Sequence, residues 1–116
     1  MNAEIIRGNT NVVKTKGDID LYTARKLFDM LCIAVEESPS GFVLDLSDTN
    51  YLDSAGMQAI FAAYKRVSRS NGRLALVVTQ QVTKELLDLI HIRDLPGIYV
   101  LDSIAAAEEV FLPVVL

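Results

Sequence analysis

Apolar residues along the chain fall into short blocks whose spacing predicts strands and helices. Two β-branched segments, residues 4–6 and 11–15, flank the turn signal Gly8-Asn9, a pattern typical of an amino-terminal hairpin. A helical stripe follows and stops near Ser38, Pro39 and Gly41, which end helices and favour turns. Its members are Leu21, Ala24, Leu27, Phe28, Leu31, Ala34 and Val35.

The middle of the chain predicts a buried strand followed by an amphipathic helix. Residues 42–46 are almost continuously apolar, as in a central strand of a parallel sheet, and the polar turn Ser47-Asp48-Thr49-Asn50 follows them. The helix is predicted from about Ser54 to about Ser70, with Gly72 in the left-handed conformation that ends many helices. Its apolar stripe comprises Met57, Ile60, Ala63, Tyr64 and Val67.

The same alternation continues towards the carboxyl end. Residues 74–78 predict a second buried strand, and residues 98–101 predict a last strand after the turn Pro96-Gly97. A third helix is marked by Val82, Leu86, Leu89 and Ile90. A final helix begins at Asp102-Ser103 and contains Ile104, Ala107, Val110 and Phe111.

Alternating strands and helices predict an α/β fold. Buried strands joined by helices form right-handed crossovers onto a parallel sheet, to which the hairpin adds an antiparallel strand. We therefore expect a central mixed, mostly parallel β-sheet with about four covering helices. The 116 residues suit a single domain over residues 1–116.

Composition and charge narrow the functional classes. Fifteen acidic and 11 basic residues give a net charge of -4, so we expect no nucleic-acid binding and a better match to a basic partner surface. The single cysteine, Cys32, allows no intrachain disulfide, and the amino-terminal residues lack the pattern of a secretory signal. No apolar stretch approaches the roughly 20 residues that span a bilayer. These features predict a soluble, cytoplasmic protein without direct membrane insertion.

The motifs of catalysis and cofactor binding are incomplete. Leu52 stands where a serine hydrolase elbow around Ser54 needs glycine, and the only histidine, His91, follows a helix in an apolar setting typical of a structural or solvent-facing residue. Asp18 and Asp20 lack companion metal ligands nearby. The six glycines are too widely spaced for a nucleotide-binding loop. We therefore predict that the chain is not an enzyme and needs no cofactor or metal.

The segment between the buried strand and the second helix, Tyr51-Leu52-Asp53-Ser54-Ala55-Gly56-Met57, carries the most information about function. Either Asp53 or Ser54 can cap the free backbone N–H groups of the helix. Leu101-Asp102-Ser103 places the same Asp-Ser pair between a strand and a helix but lacks the following Ala-Gly. Local physics therefore does not separate Ser54 from Ser103.

Phosphorylation of Ser54 would be compatible with the fold. A phosphate there meets the N–H groups and the positive dipole end of the helix, while its roughly -1.5 to -2 charges change what docks beside Asp53. Gly56 has two interpretations. It either lets a kinase or partner backbone approach the serine, or packs the helix start tightly against the sheet.

The chain resembles a STAS domain of the bacterial anti-sigma factor antagonist family. Gly17-Asp18-Ile19-Asp20 is similar to the family's Gly-x-Leu/Ile-Asp element. Leu44-Asp45-Leu46 and the segment around Asp53-Ser54-Ala55-Gly56-Met57 resemble its signature. The resemblance covers essentially the whole chain, with departures at Gln58 and in the apolar tail from Pro113 to Leu116.

The resemblance implies a switch between binding partners. In that family the serine after aspartate is phosphorylated by an anti-sigma factor that is also a serine kinase, and a type 2C-like serine phosphatase reverses the modification. ATP and magnesium belong to the kinase. The dephosphorylated antagonist binds the anti-sigma factor and the phosphorylated form releases it, so the acceptor here would be Ser54.

Family partners contact the acceptor segment and the element before the first helix. The implied partner-binding residues are Asp18, Asp20, Thr23, Asp53, Ser54, Ala55, Gly56 and Met57. Turn and N-cap chemistry is an equal alternative for Asp18, Asp20 and Thr23.

A second functional class stays open. STAS domains also occur as non-switching scaffold subunits of lipid-transport or stress-signalling complexes. We expect a monomer or weak dimer, with the apolar tail packed against its own domain or forming a contact patch.

Overall fold

The computed structural model describes residues 1–113, and the predicted alternation is confirmed in it. The strands are β1 (Asn2–Ile6), β2 (Val12–Lys16), β3 (Gly41–Asp48), β4 (Arg73–Val77) and β5 (Ile98–Leu101). The helices are α1 (Ala24–Glu37), α2 (Ser54–Ser68), α3 (Gln81–Leu89) and α4 (Ile104–Glu109), and a short 3-10 turn spans Ile92–Asp94.

The strands form one mixed sheet in the order β1-β2-β3-β4-β5. β1 pairs with β2 antiparallel, and the other three pairings are parallel. The carboxyl ends of β2 to β5 therefore lie at one edge of the sheet, which we call the carboxyl edge. This is where ligand and partner sites of parallel α/β sheets usually form.

Two apolar layers hold the helices on the sheet. α1, α2 and α3 share the larger layer with alternate residues of the strands, including Leu44, Leu46 and Leu76. α4 covers the opposite face, where Ala107 packs with Val12 and Val43. The predicted α/β class is thus confirmed, because strands buried on both faces need helices on both sides.

A polar network fixes the carboxyl ends of β2 and β3. The hydroxyls of Thr15 and Thr49 are 2.8 Å apart, and Thr15 Oγ1 donates to the carbonyl of Asp45 at 3.0 Å. Lys14 Nζ lies 3.3 Å from a carboxylate oxygen of the buried Asp45 and 3.3 Å from one of the exposed Asp48. The contact with Asp48 and then that with Asp45 raise the pKa of the Lys14 ammonium above its ordinary value. Residues 49–53, which lead from β3 to α2, thus leave the sheet from a fixed point.

Some local predictions were wrong in their details. Leu21 lies in a turn before α1 and is 73% exposed, so it does not belong to the buried stripe. α2 ends at Ser68, and Asn71 rather than Gly72 takes the left-handed conformation, with φ of 52°. Gly72 is needed for space, because a Cβ there would lie 2.7 Å from Val67 Cγ1. Val110 and Phe111 lie beyond α4.

The third helix forms as predicted, but two residues of its predicted apolar stripe face solvent instead of the sheet. Thr83 and Leu87 are its buried residues. Val82 and Leu89 are 69% and 77% exposed. The predicted apolar tail runs from Pro113 to Leu116. Pro113 is exposed, and the rest of the tail, residues 114–116, lies outside the described residues.

Candidate functional site

The loops that follow β2 and β3 are joined by main-chain hydrogen bonds at the carboxyl edge. Ile19 N donates to the carbonyl of Tyr51 at 2.9 Å, and Asp53 N donates to the carbonyl of Ile19 at 3.1 Å. Ile19 and Leu52 pair as an isolated parallel bridge, and both side chains are buried. We call this arrangement the loop bridge. It brings the two segments singled out from the sequence side by side.

Asp53, not Ser54, caps α2. Asp53 Oδ1 accepts from the backbone N–H groups of Ala55 at 2.9 Å and Gly56 at 3.2 Å. Ser54 is the first residue of the helix, exposed to solvent, and its hydroxyl takes no part in the cap. The structure thereby resolves the choice that the sequence left open, and the serine hydroxyl is accessible from outside.

Gly56 serves packing rather than access. It is buried, and a Cβ at this position would lie 2.4 Å from Leu52 Cδ1 and 2.7 Å from Ile19 Cγ2. These distances are far below van der Waals contact, so a side chain would push α2 away from the loop bridge. The interpretation that Gly56 leaves room for a kinase is therefore wrong.

Two further residues of the predicted partner-binding set, Met57 and Ala55, are not fully exposed to solvent. The Met57 side chain is only 6% exposed and belongs to the core, so as a direct contact residue it is a wrong prediction. The apolar stripe of α2 to which Met57 belongs faces the sheet, as its helical periodicity predicts. Ala55 is half-buried beside the exposed Ser54.

Turn chemistry occupies Asp20 and Thr23. Asp20 Oδ1 accepts from the backbone N–H groups of Tyr22 at 2.9 Å and Thr23 at 3.1 Å. Thr23 Oγ1 accepts from Asp20 N at 2.9 Å and lies 3.0 Å from the carbonyl of Asp18. These bonds shape the turn before α1, while the Asp18 side chain is exposed. The turn part of the alternative interpretation is thus confirmed for Asp20 and Thr23, whereas Thr23, the N-cap residue of α1, makes no side-chain capping hydrogen bond.

The turn exposes apolar side chains that the sequence interpretation missed. Tyr22 is 90% exposed, Leu21 73% and Tyr51 51%. Leu21 and Tyr22 follow Asp20 in the first loop, and Tyr51 belongs to the second loop, so the loop bridge holds all three at the carboxyl edge. We call Leu21, Tyr22 and Tyr51 the edge patch. Large exposed apolar groups grouped beside a polar site are typical of protein-binding surfaces.

No group of three or more histidine, cysteine, aspartate or glutamate side chains within residues 1–113 is arranged to hold a metal ion. His91 follows α3 and is exposed, with Nδ1 3.8 Å from an Asp94 carboxylate oxygen. Over the same residues, no helix is both long and apolar enough to cross a membrane.

The fold and this edge define a small α/β domain, with four helices on a mixed, mostly parallel five-stranded sheet within residues 1–113. The STAS domain model matches residues 1–107, and the chain belongs to this family, which confirms the resemblance.

Several similar proteins are named as anti-sigma factor antagonists. An anti-sigma-B factor antagonist of Bacillus subtilis is 25% identical over 96 residues, covering 82% of this chain and 87% of that protein. The anti-sigma-F factor antagonist RsfB of Mycobacterium tuberculosis is 30% identical over 78 residues, covering 67% of this chain and 63% of its own length. The crystal structure of an anti-sigma factor antagonist from Mycobacterium paratuberculosis superposes with a TM-score of 0.81 at 24% identity, covering 93% of this chain and 91% of that one.

The packing at Gly56 yields a stability prediction. Gly56→Ala should lower the free energy of unfolding by about 1–2 kcal/mol, because overpacking outweighs the gain in helix propensity. Urea denaturation measures the change. The matched control is Gly8→Ala, where the nearest atom to a new Cβ is 3.8 Å away and we expect a change within about 0.5 kcal/mol. Equal effects at both positions would contradict the packing role.

Proposed function

We propose that this protein is an anti-sigma factor antagonist whose binding is controlled by phosphorylation of Ser54. The proposal rests on the start of α2, where Asp53 forms the cap and Ser54 is left exposed. The antagonist names of the relatives support the same class of partner. The partner would be an anti-sigma factor that is also a serine kinase, with a type 2C-like serine phosphatase reversing the reaction.

Phosphate on Ser54 would change the surface more than the fold. The sequence interpretation assumed that N–H groups at the helix start were free to bind the phosphate. Those of Ala55 and Gly56 already donate to Asp53, so they are not free. The positive end of the α2 dipole still favours the added charge, while the Asp53 carboxylate opposes it. The new charge would therefore project towards a partner instead of being taken up by the helix start.

The edge patch supplies the affinity that this charge would remove. Burying a large apolar side chain contributes about 1.5–3 kcal/mol, and interface energy concentrates in a few such residues. A phosphate beside Tyr51 and Leu21 must be desolvated when an apolar partner surface docks, which costs binding free energy. The unmodified protein would bind and the phosphorylated protein would be released.

Ser103 provides an internal control for the acceptor assignment. Its Oγ accepts from Ala106 N at 3.1 Å and thus caps α4, whereas the Ser54 hydroxyl is uncommitted. After incubation with the cognate kinase and ATP, mass spectrometry should find one phosphate, on Ser54, that Ser54→Ala abolishes and Ser103→Ala preserves. Phosphate on Ser103 with Ser54 unmodified would overturn the assignment. No phosphate on either residue would favour a non-switching scaffold.

The edge patch generates a binding prediction. Leu21→Ser should weaken binding to the anti-sigma factor about 10- to 30-fold by calorimetry, because an anchoring side chain is lost. Stability should be unaffected, since Leu21 is already 73% exposed. The control is Leu89→Ser, which alters a leucine of similar exposure, 77%, far along α3. Equal affinity losses for the two variants would show that the edge patch is not the contact surface.

A further inference from the structure

The outward side of α2 joins Ser54 to two cations. Ser54, Gln58, Lys65 and Arg69 follow the spacing i, i+4, i+11 and i+15, which places them on one side of an α-helix. All four are exposed, and Arg69, the C-cap residue, keeps helical backbone angles. At 1.5 Å per residue, Lys65 lies about 16 Å along the helix from Ser54, and Arg69 about 22 Å. We call Lys65 and Arg69 the basic end of α2.

Charge is distributed unevenly along the chain. Residues 54–84 contain five basic residues and no acidic residue, while the other 85 residues contain six basic and 15 acidic ones. The net charge of -4 averages over this separation, so the expectation of a basic partner surface does not hold for the outward side of α2. A partner that lies along this side meets positive charge, which an acidic surface would complement.

The basic end is not neutralised by the chain's own carboxylates. Within residues 1–113, no ion pair involves Lys65 or Arg69, whereas Lys14 and Lys84 are both held by aspartates. Cations near the carboxyl end of a helix also interact favourably with its dipole. The dipole favours them on any side of the last turn, so it does not account for their alignment with Ser54.

The distance from Ser54 determines what these charges can do in a complex. A standard interface covers about 800 Å² on each partner, which corresponds to a patch roughly 30 Å across. The edge patch lies at the carboxyl edge, where α2 begins, so a partner that covers it and Ser54 reaches the basic end only at the margin of the contact. Charges at the rim of an interface change mainly the association rate and its salt dependence.

We propose that the basic end of α2 steers the anti-sigma factor onto Ser54 and the edge patch by attracting an acidic surface of that partner. The inference rests on the proposed function, which places the contact at the start of the same helix, and the names of the relatives support this class of partner. Attraction between opposite charges raises the rate of productive encounter, because it acts before the surfaces meet.

Steering and the phosphate switch act on different steps of binding. Lys65 lies about twice as far from Ser54 as the roughly 8 Å over which a surface charge acts at physiological salt. A phosphate on Ser54 would therefore leave the field of the basic end largely unchanged. It would act on the docked complex, where it must be desolvated.

The test measures binding of the full, unmodified chain to the purified, immobilised anti-sigma factor by surface plasmon resonance. A double variant, Lys65→Gln with Arg69→Gln, should lower the association rate constant about 3- to 10-fold at roughly 50 mM salt, because the attraction before contact is lost. The dissociation rate constant should be unchanged. At about 500 mM salt the difference from the wild type should disappear, since screening removes the attraction.

Two control variants separate steering from a general effect of charge. Arg7→Gln with Arg93→Gln removes the same charge from side chains that are 60% and 58% exposed and lie beside acidic residues, and it should leave the association rate constant within about twofold of the wild type. Lys65→Arg with Arg69→Lys keeps the charge and should keep the wild-type rate. Circular dichroism on each variant confirms that the fold is intact.

The outcomes that would overturn the inference are distinguishable from failure of the proposed function. If the Lys65→Gln, Arg69→Gln variant associates like the wild type, the basic end does not steer, while the proposed function stands. An equal loss in the Arg7→Gln, Arg93→Gln variant would show that net charge sets the rate. If the wild-type chain does not bind the anti-sigma factor, the proposed function fails and this inference fails with it.

A different occupant of the basic end would also be detected. Oligouridylate and anionic lipid vesicles, added separately, test for a nucleic acid and for a membrane surface. Binding of either by the wild type that the Lys65→Gln, Arg69→Gln variant loses, together with unchanged association of that variant with the anti-sigma factor, would assign the basic end to a polyanion and overturn the inference.

Discussion

The loop bridge is the constraint on which the candidate site depends. Ile19 pairs with Leu52 and exchanges main-chain hydrogen bonds with the segment around it, so the loops after β2 and β3 form one unit. Buried main-chain groups must be paired, and this pairing satisfies them beyond the end of the sheet. Gly56 then allows α2 to pack directly on the bridge. Ser54 and the edge patch take their relative positions from this one contact.

At the start of α2 the capping falls to Asp53, and Ser54 is left exposed for the regulatory role that we propose. Asp53 satisfies two N–H groups of the first turn, which leaves the neighbouring hydroxyl without a structural duty. At α4 the single residue Ser103 performs the capping itself. A modification that destroys a cap costs about 1 kcal/mol of stability, whereas one beside an intact cap changes mainly the surface charge. This difference suits Ser54 to a reversible signal.

The sequence predicts the architecture well because long apolar blocks leave few alternatives. Continuous apolar runs predict the strands around residues 42–46 and 74–78, and helical spacing predicts the stripe of α2. Side-chain orientation was harder to predict. Leu21 fits the α1 period, yet the hydrogen bonds of Asp20 delay the helix to Ala24 and turn Leu21 outward. Val82 and Leu89 also have helical spacing, and only the packing of Leu87 shows which side of α3 faces the sheet.

The sequence also does not predict which of two residues caps α2. Asp53 and Ser54 are both good caps, and the hydrogen bonds of the folded loop decide between them. The end of α2 is a similar case, because Asn71 and not Gly72 is the left-handed residue. Gly72 is needed for space instead, since Val67 in α2 and Ser40 in the loop before β3 lie against it. Such choices depend on tertiary contacts that local patterns do not encode.

The central claim is that phosphate at Ser54 alters the surface and leaves the fold intact. Urea unfolding of the phosphorylated and unmodified chains tests this most directly. The account predicts free energies of unfolding within about 1 kcal/mol of each other, the scale of a charge beside a helix start. A loss of about 3 kcal/mol or more on phosphorylation would contradict it, because release of the partner would then follow from disruption of the helix start and not from a changed surface.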